Sequence, residues 1–174
     1  WHECNQEQTA RWRSEKGLPP PKRVETIDDR TTADTAYRLA CEGSGLIWRG
    51  DFQNARQLLK AIAKRIDKKF ASKLSTAVTS RDTFNLYRQA QSQRARTPDK
   101  LLITFEADHR ILLRRAPDVH SACEKVYGTS NEPYVTSLRE LLGLIGAHEW
   151  YKKGIDIAAL GAKIYPHYGV FAPI

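Results

Sequence analysis

The sequence has no methionine and three cysteines, Cys4, Cys41 and Cys123, an odd number spread along 174 residues. Cysteines so placed do not make a disulfide frame, and reduced thiols of a cytoplasmic protein are expected. No Cys or His pair recurs at ligand spacing with a matching second pair, so no metal site is expected. His148-Glu149-Trp150 fails as a zinc-protease signature because Lys152 stands where the second His belongs. No apolar run approaches the ~20 residues of a membrane span, and no signal-peptide pattern opens the chain. No Ser/His/Asp or Cys/His nucleophile can be assigned, so no catalytic residue is named. The lack of Met, with an uncharged, Pro-punctuated close at residues 165–174, leads us to expect a piece of a larger protein.

What is present is charge and a core. The chain is 41% hydrophobic, enough for one domain with a small appendage. Its 28 Lys and Arg against 20 Asp and Glu leave +8, a balance that favours acidic partners, nucleic acid first, and says nothing about fold.

Along the chain, residues 1–16 read as a short docked helix, since Trp1 and Trp12 would be costly to leave in water. Residues 17–30, broken by Pro19, Pro20 and Pro21, read as a connector. Thr32 can cap a helix with Ala33, Ala36, Tyr37, Ala40 and Ile47 at roughly helical spacing. Glu42-Gly43-Ser44-Gly45 is expected to be a helix-ending turn lying between helical patterns. Gly50-Asp51 marks a break and a fresh cap. Phe52, Ala55, Leu58, Leu59, Ile62, Ala63, Ile66 and Phe70 then recur at threes and fours, an apolar stripe facing a core. A third helix is expected from Ser80 or Arg81 to Thr97-Pro98, burying Phe84 and Tyr87 near Ala90.

The period then changes. Residues 101–105 and 111–113 read as two strands of a hairpin around Ala107-Asp108-His109-Arg110. Glu106, Asp108 and His109 are expected to be plain turn residues, and Arg114-Arg115 with Asp118 a surface pairing. A short helix from Pro117 to about Tyr127 and a loop at 128–133 follow. Ser137 and Glu140 fit a capping box, opening a helix that closes on Lys152-Lys153-Gly154. Extended pieces follow near 155–157 and 163–165. The expected fold is mainly α with a small β-hairpin, an α+β class. It divides into residues 1–30 (helix and connector), a helical recognition domain 31–154 with a hairpin near 101–113, and a short β-rich connector 155–174.

Arg56, Lys60, Lys64 and Lys68 fall at strict four-residue spacing, as do Arg65, Lys69 and Lys73. Like charges so spaced cost a helix ~0.2–0.5 kcal/mol per pair. Only Asp67 stands nearby to relieve them, and a phosphate backbone would supply a counterweight. The other reading is a Lys-rich solvated face. Arg88 and Arg94, with Arg81, Arg96, Lys100 and interleaved glutamines, form a second basic source on the third helix. The order helix, helix, helix, hairpin also admits a winged-helix-like, stand-alone nucleic-acid-binding module whose hairpin carries His109 and Arg110 to a duplex. A protein-interaction domain with an exposed apolar patch is a third possibility.

Several stretches also resemble a known family. They are Thr32-Ala-Asp-Thr-Ala-Tyr-Arg-Leu-Ala-Cys-Glu42, Trp48-Arg-Gly-Asp-Phe-Gln-Asn-Ala-Arg-Gln-Leu-Leu59, Leu113-Arg-Arg-Ala-Pro-Asp-Val119 and Ser137-Leu-Arg-Glu-Leu-Leu-Gly-Leu-Ile-Gly-Ala-His-Glu-Trp150. They are similar to the amino-terminal domain of bacterial class I S-adenosylmethionine-dependent methyltransferases. Residues 164–174 resemble the connector before the catalytic domain of those enzymes, and Gly169-Val-Phe-Ala-Pro173 is similar to the lead-in of protein-glutamine methyltransferases. The resemblance implies a substrate-recognition domain, not catalytic by itself, whose partner is a missing C-terminal methyltransferase domain. S-adenosylmethionine is then the cofactor of the parent and binds beyond Ile174, because no Gly-rich turn follows a credible strand here. The methyl acceptor is open between nucleic acid and a protein side chain. On this reading His167, Tyr168 and Phe171 shape an acceptor or cofactor pocket; otherwise they are ordinary interdomain packing.

Overall fold

The computed structural model describes residues 1–3, 5–75 and 79–169. In chain order the elements are β1 (His2–Glu3), β2 (Gln6–Glu7), β3 (Arg11–Trp12), β4 (Val24–Ile27), α1 (Ala33–Cys41), β5 (Gly45–Trp48), α2 (Phe52–Leu74), α3 (Ser80–Arg96), β6 (Leu101–Phe105), α4 (His120–Tyr127), β7 (Tyr134–Ser137), α5 (Leu138–Lys153), β8 (Ile155–Ile157) and β9 (Ala162–Ile164). The class is α+β. A five-stranded mixed sheet runs in the order β3-β7-β6-β5-β4. β4, β5 and β6 are mutually parallel, β7 is antiparallel to β6, and β3 is parallel to β7.

Alternation along the strands sorts their side chains onto two faces. Leu46, Trp48, Leu101, Ile103 and Phe105 join Ala36, Phe52, Ile62, Ile66, Leu138 and Leu141 in the main core beneath the helices. Ile47, Leu102 and Val135 point the other way, against Trp1, Ala10, Trp12 and Val24. Trp1 and Trp12 are thus docked, as expected, but by an extended segment: the described residues of 1–16 include β1, β2 and β3 and no helix. The strand edge of β7 offers Arg11 and Trp12 backbone partners that a helix would forgo.

Three other expectations are corrected. The stretch 17–30 is not wholly connector, because β4 lies within it and pairs in register with β5 from Val24↔Gly45 to Ile27↔Trp48. The first helix stops at Cys41, where Gly43 takes φ 96° and its N–H donates to the Ala40 carbonyl. This is the expected helix-ending turn, but a strand follows it. Ile47 belongs to that strand, and a Cβ on Gly45 would come within 2.6 Å of the Pro21 ring. The hairpin expected near 101–113 does not form either. β6 is the middle strand of the sheet, flanked by β5 and β7, and residues 111–113 are not strand. The wing of a winged helix is therefore absent among the described residues.

The expected caps at Thr32, Asp51 and Ser137 each accept a backbone N–H at the start of α1, α2 and α5, and Thr79, not singled out by the sequence reading, does the same for α3. α5 ends at Lys152-Lys153 with Gly154 beyond, and β8 and β9 form the antiparallel pair at the exit, where extended pieces are expected. Ser137 caps the Glu140 N–H, but the Glu140 side chain does not turn back to complete the box. It is buried and accepts from the Glu15 N–H (3.0 Å), Tyr127 Oη (2.6 Å) and Thr136 Oγ1 (3.3 Å). One carboxylate therefore ties the amino-terminal segment, α4 and β7 to the start of α5. No helix among the described residues is long and apolar enough to cross a membrane.

Candidate nucleic-acid interface

α2 begins as a core helix and ends as a surface one. Phe52, Ala55, Leu58, Ile62 and Ile66 are buried; after Ile66, every residue to Leu74 except Phe70 is exposed. α3 returns beside it, and of its residues only Ala90 is buried. The two helices form an arm whose outer part, residues 67–74 of α2, is exposed except at Phe70. Its root is held by Arg139 of α5, whose Nη1 donates to the carbonyls of Arg94 (2.8 Å) and Ala95.

Charge follows the same division. Residues 52–96 carry eleven Lys and Arg against two Asp, a surplus of nine, which exceeds the +8 of the entire chain. The remainder of the molecule is close to neutral. The arm is thus the seat of the whole basic excess, a focused field of the sort that concentrates polyanions.

The two rows read from the spacing are both on α2, but their members differ. Arg56, Lys60, Lys64 and Lys68 are exposed. Among the described residues no ion pair engages Lys60 or Lys64, and Arg56 donates to Gln53 Oε1 (3.1 Å). Arg65, by contrast, donates to Asp34 of α1 at 2.7 Å, and this contact holds the Asp34 carboxyl below its usual range. Asp67 is thus not the lone relief that the spacing suggests. It pairs with Arg94 of α3, also at 2.7 Å. Lys69 lies over the Tyr37 ring at 6.0 Å, and Lys73 lies along the arm's shallow inter-helix groove. Arg88 sits against Phe84, its Cζ 5.9 Å from the ring centre. Arg65 and Arg94 are therefore largely structural, while Arg56, Lys60, Lys64, Lys68 and Arg88 are presented to solvent.

Sequence reasoning missed the aromatic side of the arm. Phe84 and Tyr87, expected to be buried, are 61% and 52% exposed. They lie three residues apart on one face of α3, a face that the body does not reach. Tyr87 is braced edge-on by Phe70 at 5.9 Å, and Phe70 in turn lies under Arg94 at 5.6 Å.

The connector residues come together elsewhere. His167 and Tyr168 join Tyr151, His148, Lys125 and Lys16 around a cleft of about 760 Å³ between α4, α5 and the chain's exit. Lys125 Nζ stands 3.6 Å from the Tyr151 ring centre, and the His167 ring lies 4.9 Å from the same centre. Burial pushes the Tyr168 phenol up and, with Lys152 and Lys125, pulls the His148 imidazole down. Both His148 ring nitrogens are buried without a partner among the described residues. Phe171 lies outside the described residues.

Two polar clusters have structural duties. His109 is not at an exposed turn but 1% exposed. Its Nε2–H donates to the Gly128 carbonyl (2.8 Å), which leaves Nδ1 to accept from Tyr134 Oη (2.9 Å). Arg114 and Arg115 do not pair with Asp118; both donate through Nε to Asp51 Oδ2, at 2.9 and 2.7 Å. Asp51 and Asp29 together crowd the β5–Gly50–α2 junction, where Asp29 accepts the Asp51 N–H. Carboxylates thus fill the helix N-terminus at which a nucleotide phosphate would otherwise be held. Among the described residues, no group of three or more His, Cys, Asp or Glu is placed to hold a metal ion. Comparison with known proteins finds no matching family model, no matching curated protein and no matching solved structure.

Proposed function

We propose that this chain is the substrate-recognition domain of a cytoplasmic S-adenosylmethionine-dependent methyltransferase whose acceptor is a nucleic acid, held by the α2–α3 arm. The observation that carries the acceptor class is the arm's surplus of nine positive charges, larger than that of the whole chain. Methyl transfer itself rests on the resemblance of the stretches around Thr32, Trp48, Leu113 and Ser137 to the amino-terminal domain of class I enzymes. The catalytic partner, with its S-adenosylmethionine, would be a separate C-terminal domain. In such an enzyme the cleft beside His167 and Tyr168 would face the catalytic domain.

The alternative is a stand-alone nucleic-acid-binding module. It uses the same arm, with no wing to read a duplex among the described residues. Two measurements separate the readings. Fluorescence anisotropy with labelled RNA and DNA of about 20 nucleotides, longer than a single-strand site, should show binding. Lys64→Glu with Lys68→Glu should weaken it and flatten its salt dependence by about one unit of slope per lysine. Calorimetric titration of S-adenosylmethionine should give heat with a longer chain that carries the catalytic domain and none with this one. Nucleic-acid binding with no cofactor binding by either would leave the stand-alone module. Absence of nucleic-acid binding would remove the acceptor assignment.

A further inference from the structure

The arm combines its charge with two aromatic rings that the body does not cover, and the combination specifies more than a polyanion. Phe84 and Tyr87 occupy one face of α3, each more than half exposed. A helix that served only to hold a phosphate backbone would have no use for them, since exposed apolar rings cost solubility and give a duplex nothing to hold. In a duplex the base faces are stacked on each other and are closed to a side chain; in a single strand they are open.

The rings are also prepared. Phe70 meets Tyr87 edge-on, and Arg94, itself fixed by Asp67, lies on Phe70, so the Tyr87 ring is supported from behind. Arg88, one turn from Phe84, sets a guanidinium beside that ring, where it can add its own stacking plane. Lys69 and Lys73 of α2 line the inter-helix groove with Phe70. That groove takes Leu86, Gln89, Ala90 and Gln93 from α3, so the two rings stand outside it; open rings on a strongly basic arm are the features by which single strands are bound without base-edge readout.

We infer that the α2–α3 arm binds single-stranded nucleic acid in preference to duplex, with unpaired bases stacked on Phe84 and Tyr87 and the backbone held by the exposed cations Arg56, Lys60, Lys64 and Lys68 of α2 and Arg88 of α3. This rests on the nucleic-acid reading above and narrows it. Charge complementarity with the arm's surplus favours a polyanionic strand. A membrane surface fits less well, because Arg81, Asn85, Arg88, Gln89 and Gln91 break up the continuous apolar face that an interfacial helix needs.

The test measures wild type, Phe84→Ala/Tyr87→Ala and Phe84→Leu/Tyr87→Leu against an oligouridine of about 20 nucleotides and a duplex of about the same length, both exceeding a single-strand site. Both side chains are exposed, so folding should be retained, and the leucine pair keeps apolar bulk without a ring face. Wild type is expected to prefer the single strand, and both variants to lose roughly tenfold or more in its affinity per ring with duplex affinity unchanged. Equal binding of both nucleic acids, or full retention by the variants, would overturn the inference and leave the acceptor class standing. Failure of wild type to bind either would overturn both. Binding to phosphatidylserine vesicles, or a dimer in sedimentation, that the leucine pair keeps and the alanine pair loses would overturn it too, reassigning the rings to a lipid or a second copy.

Discussion

Single carboxylates do much of the organising in this molecule, and each makes a checkable claim. Glu140 is buried and takes hydrogen bonds from Glu15, Tyr127 and Thr136. Burial, and next its bond to that carboxylate, push the Tyr127 phenol far above its ordinary range. Glu140→Ala strands several buried donors at once and should cost about 2–4 kcal/mol, read as a lower urea midpoint. Asp51 shows the opposite setting. Chiefly the Arg115 guanidinium, with the Gln53 N–H and Arg114 behind it, holds its carboxyl well below the usual range against the pull of burial. A depressed native pKa means that the unfolded chain binds the extra proton. The stability it supplies is therefore present above about pH 4 and drains away as the pH falls below that. Asp51→Asn keeps a cap but removes the charge. It should be less stable than wild type at neutral pH and lose less on acidification from about pH 5 to about pH 2 in thermal melts. Cys123 offers a third check, because burial pushes its thiol up to about 11. At about pH 8, near the ordinary thiol pKa, iodoacetamide should label the exposed Cys41 and spare Cys123 until the protein is unfolded, as peptide mass spectrometry would show; rapid native labelling of Cys123 would contradict the burial.

At the scale of elements, helices are declared in this sequence far better than strands. The stripe of α2, the bounds of α3, the Ser137 cap and the Lys152-Lys153-Gly154 close of α5 are legible because each has a period or an end signal several residues long. β5 is not, because Gly45 to Trp48 is four residues with every one buried, and a short apolar run looks alike in a helix and a strand. β4 and β7 are equally short. β6 is recognisable as a strand, but its partners are not: register with β5 and β7 depends on contacts remote in sequence, which spacing does not encode. The candidate interface divides the same way. Four-residue spacing reveals the basic rows, yet not the pairing of Arg65 with Asp34 or of Arg94 with Asp67. The outward turn of Phe84 and Tyr87 is hidden because their spacing is that of a core-facing stripe.

For the molecule as a whole, the division between a nearly neutral body and a strongly basic arm is the fact on which the functional proposal stands. The body supplies rigidity: a five-stranded sheet covered by α1, α2, α4 and α5 on one side and by the Trp1–Trp12 segment on the other. The arm supplies the charge. A field so concentrated should bind nucleic acid by releasing counterions, about 0.7 per single-strand phosphate neutralised. The most direct measurement is the affinity of the unmodified chain for a single strand of about 20 nucleotides across roughly 50–300 mM salt, the range in which counterion release is read. With some four to six arm cations engaged, log affinity should fall against log salt with a slope of about −3 to −4. A flat line, or no binding at the lowest salt, would contradict the proposal.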